Sequence, residues 1–270
     1  MAVKTNSHTA LLLCGGGSRG AVEIGFTKAL WERGIRIDTI FGSSIGAING
    51  AYLAAGWTPE ELGTLWSRFE GERPFTFNWR VLWQGLKVAS LYRAERLISI
   101  LKSTLPVKRF EELRIPFVVT ATNLQTGQPV YLDSGDLLPA LLASIALPPY
   151  LPPVEHQGRH LMDGGIVANV PIAEAIARGA GRIFALLCHC SRELARLPRG
   201  FLEVEGRALR LAIEHQMRHD LEHYKDHAEI IVLEPCFDFP PSILKIEQVH
   251  RLIEEGYQFA RDQLASTITV

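Results

Sequence analysis

The pentapeptide Gly42-Ser43-Ser44-Ile45-Gly46 has the residue types and the spacing of a serine nucleophile. It follows the apolar stretch Thr39-Ile40-Phe41, which is typical of a buried strand, and it precedes a segment that predicts a helix. A sharp strand-to-helix turn needs small flanking residues so that the serine oxygen stands exposed at the edge of the sheet. The pattern therefore predicts that Ser44 attacks a carbonyl carbon, with Gly42 and Gly46 allowing the turn.

A second glycine-rich stretch, residues 15–20, follows the first predicted strand and is suited to stabilise the anion that such an attack creates. Successive glycines allow backbone N–H groups to turn toward an anion without obstruction by side chains. The amides of Gly15, Gly16 and Gly17 are therefore candidates for an oxyanion hole, whose donors stabilise the negative charge that develops on a carbonyl oxygen.

The same stretch also fits the G-x-G-x-x-G fingerprint of dinucleotide-binding proteins, through Gly15, Gly17 and Gly20. Asp38 lies at about the right distance along the chain to contact a ribose. In a Rossmann unit, however, the acidic residue ends the second strand, whereas Asp38 stands near the beginning of this one. Nucleotide binding is therefore an alternative function, and the serine turn that ends the same strand argues against it.

The proton of Ser44 needs an acceptor, and the chain has no histidine between His8 and His156. Asp163 ends a short apolar stretch and is followed by two glycines, which allow another backbone to approach closely. A carboxylate can replace histidine as the base when it is partly desolvated and within hydrogen-bond reach of the serine. Asp-Gly-Gly alone is also typical of a plain turn. A late histidine, such as His250, is the alternative base.

Three motifs, taken in order along the chain, resemble those of the patatin-like phospholipases. The motifs are GGGSRG at residues 15–20, GSSIG at 42–46 and DGG at 163–165, which includes Gly164 and Gly165. The supporting pieces are Ala143-Ser144-Ile145-Ala146-Leu147-Pro148 with the proline-rich run to Pro153, and Asn169-Val170-Pro171. The resemblance covers roughly residues 9 to 190 and provides no site residues beyond them.

The resemblance implies a catalytic dyad in which Ser44 is the nucleophile and Asp163 the base. It also implies an oxyanion hole formed by the amides of Gly16 and Gly17, together with Gly15. The expected activity is hydrolysis of carboxylic esters of lipids, of the phospholipase A or lysophospholipase type, without a metal or an organic cofactor. A peripheral membrane or micelle surface is the expected partner. A soluble esterase or thioesterase without a lipid interface is a further alternative.

Apolar segments alternate between strand and helix patterns, which predicts a three-layer α/β/α fold with a central, mainly parallel sheet. The predicted strands are Thr9–Cys14, Ile37–Phe41, Phe117–Thr122, Val130–Leu132, Arg182–Cys188 and Glu229–Leu233. The predicted helices are Ala21–Arg33, Ile45–Ala55, Leu137–Leu147, Ile172–Arg178, Glu203–His227 and Lys245–Leu264. Since no repeat or obvious linker interrupts the pattern, we expect a single domain over residues 1–270.

The composition excludes several classes of protein. A net charge of −1 gives no reason to expect a nucleic-acid surface, which would need a basic patch. The four cysteines have no regular spacing, which predicts reduced thiols and a cytoplasmic protein. No segment approaches the ~20 apolar residues that a membrane-spanning helix requires. We therefore expect a protein that touches membranes only from outside.

The segment from Trp57 to Tyr92 is rich in aromatic residues and contains four of the five tryptophans. One interpretation is a helical insertion packed on the domain. The other is a cap over an apolar substrate channel, or a surface that enters a lipid interface, where amphipathic rings are stable.

Histidines recur at every fourth position late in the chain, at His215, His219, His223 and His227. On a helix they form a slowly drifting stripe whose adjacent pairs could ligate a metal. Charged residues surround the stripe on the same segment, so a solvated face is the preferred interpretation.

Overall fold

The strands are formed by apolar runs at the predicted places, with additional short strands between them. The computed structural model describes residues 8–188, 197–236, 246 and 248–267. The described strands are β1 His8–Leu13, β2 Thr39–Ser43, β3 Thr76–Phe77, β4 Tyr92–Arg93, β5 Phe117–Asn123, β6 Pro129–Leu132, β7 Val154–His156, β8 Arg159–Asp163, β9 Ala180–Leu186 and β10 Glu229–Leu233.

Helices separate most of these strands. They are α1 Ala21–Glu32, α2 Ile45–Ala54, α3 Pro59–Arg68, α4 Val81–Gln84, α5 Glu95–Thr104, α6 Leu137–Ser144, α7 Gly165–Ala168, α8 Ile172–Ala177, α9 Phe201–Tyr224 and α10 Val249–Thr267. Local sequence explains their ends: α3 begins at Pro59 because the Thr58 hydroxyl accepts from the Glu61 amide, and the Glu61 carboxylate accepts from the Thr58 amide. Among the described helices, none has the length and apolar character needed to cross a membrane.

The central sheet has the order β10-β9-β1-β2-β5-β8-β7, and β6 also pairs with β5. The strands from β10 to β5 in this order are parallel, whereas β6, β7 and β8 join by antiparallel pairs. Strands β1 and β2 are buried almost throughout because helices cover both faces of the sheet. The predicted mainly parallel sheet flanked by helices is confirmed.

Strands β2 and β8 meet end to end along one edge of β5. Strand β5 pairs with β2 up to Ser43, which lies opposite Thr120, and with β8 from Asp163, which lies opposite Ala121. Strand β6 pairs with β5 across both stretches, so β2 and β8 must share the other edge. Because β8 runs against β5, its last residue arrives where β2 ends. This topology brings the end of β2 and the end of β8, which are distant in sequence, next to each other on β5.

The structure adds elements that the sequence pattern did not predict. The hairpin of β7 and β8 was missed because its strands are short and polar, with a partly exposed β7. Helices α3 and α5 were also missed, and they lie within or next to the aromatic segment. The long helix α9 begins and ends slightly earlier than predicted. The predicted start of the last helix, Lys245, lies outside the described residues.

Candidate active site

Ser44 stands at the turn between β2 and α2, with a backbone conformation that side chains rarely adopt. Its φ is 54° and its ψ is −123°. The turn is tight because β1 passes directly beside it: a Cβ atom on Gly46 would lie 2.4 Å from the carbonyl oxygen of Leu13. The packing of α2 against β1 therefore holds the strained serine in place. Gly42, the other glycine of the motif, lies in β2 opposite Leu13.

Asp163 ends β8 and faces the serine from the opposite direction. Its Oδ2 atom accepts a hydrogen bond from the Ser44 hydroxyl, with 2.7 Å between the oxygens. Its Oδ1 atom accepts from the amide of Gly165 at 2.8 Å, which fixes the orientation of the carboxyl group. The β8 end fits closely on β5, since a Cβ atom on Gly164 would lie 2.2 Å from the Thr120 carbonyl oxygen.

The Asp163 carboxyl group is almost completely buried, with 2% of the residue exposed. Burial raises its pKa from 3.8 to about 6, while the hydrogen bonds from Ser44 and Gly165 lower it. The group is therefore largely ionised at neutral pH, yet it is far more basic than an exposed aspartate. A carboxylate with these properties is suited to accept a proton from the serine hydroxyl.

Ser144, at the end of α6, links the turn that carries Ser44 to strand β5. Its hydroxyl accepts from the Ser44 amide at 2.9 Å and donates to the Thr120 carbonyl at 2.6 Å. The hydroxyl of Thr122 in turn donates to the Asp163 carbonyl at 2.8 Å. No role of these residues in the site was predicted from the sequence. The available signal was a serine inside the otherwise apolar end of a predicted helix.

The glycine-rich stretch after β1 lies directly beside the serine. A Cβ atom on Gly15 would lie 3.0 Å from the Ser44 Cβ atom. The amide of Gly15 donates to the Asn169 side chain at 2.7 Å, so this predicted oxyanion donor is already engaged. For the amides of Gly16 and Gly17 we find no acceptor within the described part of the chain. Gly17 has a φ of 60°, which glycine adopts without strain.

A cavity of about 520 Å³ adjoins both Ser44 and Asp163. Most of its wall is apolar, including Ile48, Leu62, Leu65, Phe69, Leu97 and Leu101. Arg19 and Arg210 are the arginines of the lining. Burial, followed by the nearby charge of Arg210, lowers the pKa of Arg19 to about 10. The cavity can therefore hold a long apolar group with the serine beside it.

This geometry has a counterpart among known proteins. The family model for patatin-like phospholipase matches residues 11–176, a stretch that includes the glycine-rich loop, the serine turn and Asp163. The chain belongs to the patatin-like phospholipase family. The predicted resemblance is thereby confirmed.

Individual relatives of this patatin-like chain cover only part of it. An uncharacterized NTE family protein of Mycobacterium tuberculosis is 37% identical over 169 residues, which span 63% of this chain and 46% of that protein. Lysophospholipase NTE1 of Saccharomyces cerevisiae is 32% identical over 180 residues, which span 65% of this chain and 10% of that protein. The chain thus spans less than half the length of these relatives.

One solved structure extends the comparison to nearly all of the patatin-like chain. VipD from Legionella pneumophila superposes with a TM-score of 0.55 over 97% of this chain and 67% of its own. Because the two sequences are only 15% identical, this similarity concerns the fold alone.

Asp38, the predicted ribose contact of the nucleotide-binding alternative, lies far from the glycine-rich loop. Its carboxylate accepts from the amide of Thr9 and pairs with Arg36, both at the start of the parallel strands. The loop follows the other end of β1. The six residues of β1 lie between Asp38 and the loop, which corresponds to a distance of about 20 Å. The arrangement of a dinucleotide site is therefore absent from the described residues at this place.

Histidines do not line the cavity in the described part of the chain. His250, the alternative base, lies on α10 with its Nε2 atom 3.4 Å from the Ser67 hydroxyl. His215, His219 and His223 on α9, and His227 just after it, are exposed, as expected for a solvated face. The rings of His219 and His227 each stack on His223, with centroids 6.1 Å apart.

Behind the glycine-rich loop, Cys14, Glu23 and Cys188 form a buried cluster of atoms that could ligate a cation. Burial raises the pKa of Glu23 to about 8, and Asn49 donates to its carboxyl group at 2.8 Å. The Asn49 amide is itself oriented by the Trp66 ring N–H at 2.9 Å. Because these groups hydrogen-bond to one another, we interpret the cluster as a neutral core network.

The prediction that all four cysteines are reduced thiols is wrong, as Cys236 demonstrates. Cys14 and Cys188 are free and buried, whereas Cys236 is disulfide-bonded. The cysteines have no regular spacing from which this bond could be predicted. Cys190 lies outside the described residues.

Proposed function

We propose that this chain is a lipid acyl hydrolase of the phospholipase A or lysophospholipase type, with Ser44 as nucleophile and Asp163 as base. The observation that carries the proposal is the 2.7 Å hydrogen bond between the two side chains at the wall of an apolar cavity. A serine alone is a poor nucleophile, and a desolvated carboxylate in contact with it is the activating group that the chemistry needs.

In the proposed reaction, the Ser44 hydroxyl oxygen attacks the ester carbonyl while its proton passes to Asp163. The amides of Gly16 and Gly17 stabilise the oxyanion that forms. Asp163 then returns the proton to the leaving alcohol, which leaves an acyl group on Ser44. A water molecule that Asp163 deprotonates hydrolyses this acyl-enzyme and restores both side chains.

The apolar wall of the cavity supports a lipid acyl chain as the group that binds beside the serine. The relatives named as lysophospholipases support the same class of substrate. A soluble esterase or thioesterase would need no such extended apolar space. Two observations argue against the nucleotide-binding alternative. Asp38 lies far from the glycine-rich loop, and the amide of Gly15 already donates to Asn169.

The test of the proposal is labelling with a lipid-like fluorophosphonate, followed by mapping of the modified residue. We expect modification at Ser44 and loss of labelling in the Ser44→Ala variant. Hydrolysis of lysophosphatidylcholine should then be compared with hydrolysis of a short soluble ester. Labelling at another residue would contradict the nucleophile, and hydrolysis of the short ester alone would favour the soluble esterase.

A further inference from the structure

Helix α9 carries apolar side chains on two opposite faces. The α9 residues that line the cavity are Glu203, Gly206, Leu209, Arg210 and Ile213. At about 100° per residue, the mean direction of Phe201, Val204 and Leu211 lies about 170° from the mean direction of the cavity-lining residues. Phe201 is 81% exposed, Val204 53% and Leu211 47%. One helix therefore separates the cavity from an apolar stripe that faces solvent.

A second exposed apolar group belongs to the aromatic segment. Trp79 is 65% exposed, and Leu82 and Trp83, both on α4, are 67% and 70% exposed. Large apolar side chains exposed together mark interaction surfaces more often than isolated ones do. Trp66 of the same segment is instead buried in the core.

Ring contacts connect the two exposed groups through the cavity wall. Trp79 packs edge-on against Phe77, whose ring packs against Tyr92. The Tyr92 ring stacks on Tyr150, which lines the cavity. The Tyr150 hydroxyl would lie 3.9 Å from a Cβ atom on Gly206 of α9. Both exposed groups are thus attached to the same part of the cavity wall.

The charges of the segment that carries Trp79 and Trp83 are one-sided. From Thr76 to Arg93 the sequence contains Arg80, Lys87 and Arg93 and no acidic residue. Arg93 pairs with Glu95, whereas no ion pair of the exposed Arg80 or Lys87 is found among the described residues. Exposed tryptophans beside unpaired cations fit the surface of an anionic bilayer, where rings settle among headgroups and cations approach phosphates. Two copies of this chain that met through this segment would bring like charges together instead.

We infer that these six side chains form one docking surface, here called the rim, for an anionic lipid bilayer. The rim consists of Trp79, Leu82, Trp83, Phe201, Val204 and Leu211. The inference rests on the proposed function, because a bilayer seated on the rim would place acyl chains next to the cavity that contains Ser44. It also assigns a role to residues beyond 190, for which the sequence offered none.

Binding is measured with the Ser44→Ala protein, so that the vesicles are not hydrolysed. We expect co-sedimentation with vesicles of phosphatidylcholine and phosphatidylglycerol, and weaker binding to phosphatidylcholine alone. The double variants Phe201→Ser/Val204→Ser and Trp79→Ser/Trp83→Ser should each weaken binding about tenfold or more. The matched control is Leu124→Ser, which removes a leucine of similar exposure (47%) on the turn between β5 and β6.

A second measurement needs no disruptive substitution. Brominated lipids in the vesicles should quench tryptophan fluorescence of the Ser44→Ala protein, and Trp79→Phe/Trp83→Phe should remove most of this quenching. Binding by both serine double variants that is as strong as that of the Ser44→Ala protein, or no quenching, would overturn the inference. So would a dimer in solution that the same variants abolish. Failure of the proposed function has a different signature, since the protein with Ser44 would then hydrolyse no ester, soluble or aggregated.

Discussion

Replacing Asp163 with asparagine should have opposite effects on activity and on stability. The asparagine amide has the same shape, and its oxygen can still accept from the Gly165 amide. Its NH₂ group can donate to the Ser44 oxygen in place of the present hydrogen bond. The substitution therefore removes the base and the buried charge while the packing of β8 against β5 remains.

The loss of activity follows from the contact between Ser44 and Asp163. General-base catalysis contributes typically 10²–10⁴-fold, and here one group serves both the acylation and the hydrolysis step. We expect a fall in kcat/KM of at least ~10³-fold, which corresponds to about 4 kcal/mol of transition-state stabilisation.

The gain in stability follows from the buried charge. A pKa raised from 3.8 to about 6 means that ionising Asp163 costs about 3 kcal/mol more in the folded than in the unfolded protein. This cost is absent below pH 3.8 and complete above a pH of about 6. The variant should therefore be more stable by about 3 kcal/mol at pH 8, which raises the Tm by about 6 °C, and equally stable near pH 3.

The two readouts are hydrolysis of a soluble ester and thermal unfolding followed by circular dichroism across this pH range. The exposed Asp262 provides the control, because Asp262→Asn removes a charge from the same protein without burial. It should change neither quantity. A variant at Asp163 that loses stability at pH 8 together with activity would refute the reasoning, since the carboxylate would then stabilise the fold.

The remaining predictions concern the groups around the dyad. In the unsubstituted protein, kcat/KM for a soluble ester should rise with pH and level off above an apparent pKa near 6, because Asp163 must be ionised; a profile that is flat through this range would contradict the assignment of the base. Gly16→Ala should lower kcat by about 10²-fold, since its Cβ atom would lie 2.5 Å from the Cys188 Cβ atom and displace the donor loop; the control Gly200→Ala meets no neighbour, and equal activity of both variants would count against the oxyanion role. Ser144→Ala should cost about 1–3 kcal/mol of stability by leaving the Ser44 amide without its acceptor, whereas the exposed Ser134→Ala should cost nothing measurable by chemical denaturation.

The sequence allowed the fold class to be predicted because its signals are local. The apolar runs of β1 and β2, the glycines after them and the alternation with helices can each be recognised within a few residues. The serine turn was predicted on the same basis, as a strand, a G-x-S-x-G motif and a helix in succession. The structure places Ser44 in contact with Asp163. The two residues are far apart along the chain, so no local sequence pattern includes both of them.

What could not be predicted depends on long-range contacts. The hydroxyl of Ser144 supports Ser44 from a position 100 residues away, and Asn169 occupies the amide of Gly15 from 154 residues away. From the sequence alone, α9 cannot be distinguished from an ordinary amphipathic helix. Periodicity shows which apolar residues share a face of the helix, but not whether that face contacts protein or solvent. Only the position of α9 in the fold shows which of its apolar faces lines the cavity and which faces solvent.

The meeting of β2 and β8 on β5 also sets the order in which the proposed site is assembled during synthesis. Strands β1, β2 and β5 lie side by side in the sheet and all precede residue 124, so an emerging chain can hold Ser44 on its turn while Asp163 is still untranslated. The carboxylate arrives with β8, and Cys188, against which Gly16 packs, arrives only after β9. Under the proposed mechanism, a nascent chain therefore carries a nucleophile without its base, and ester hydrolysis begins only after Asp163 has left the ribosome.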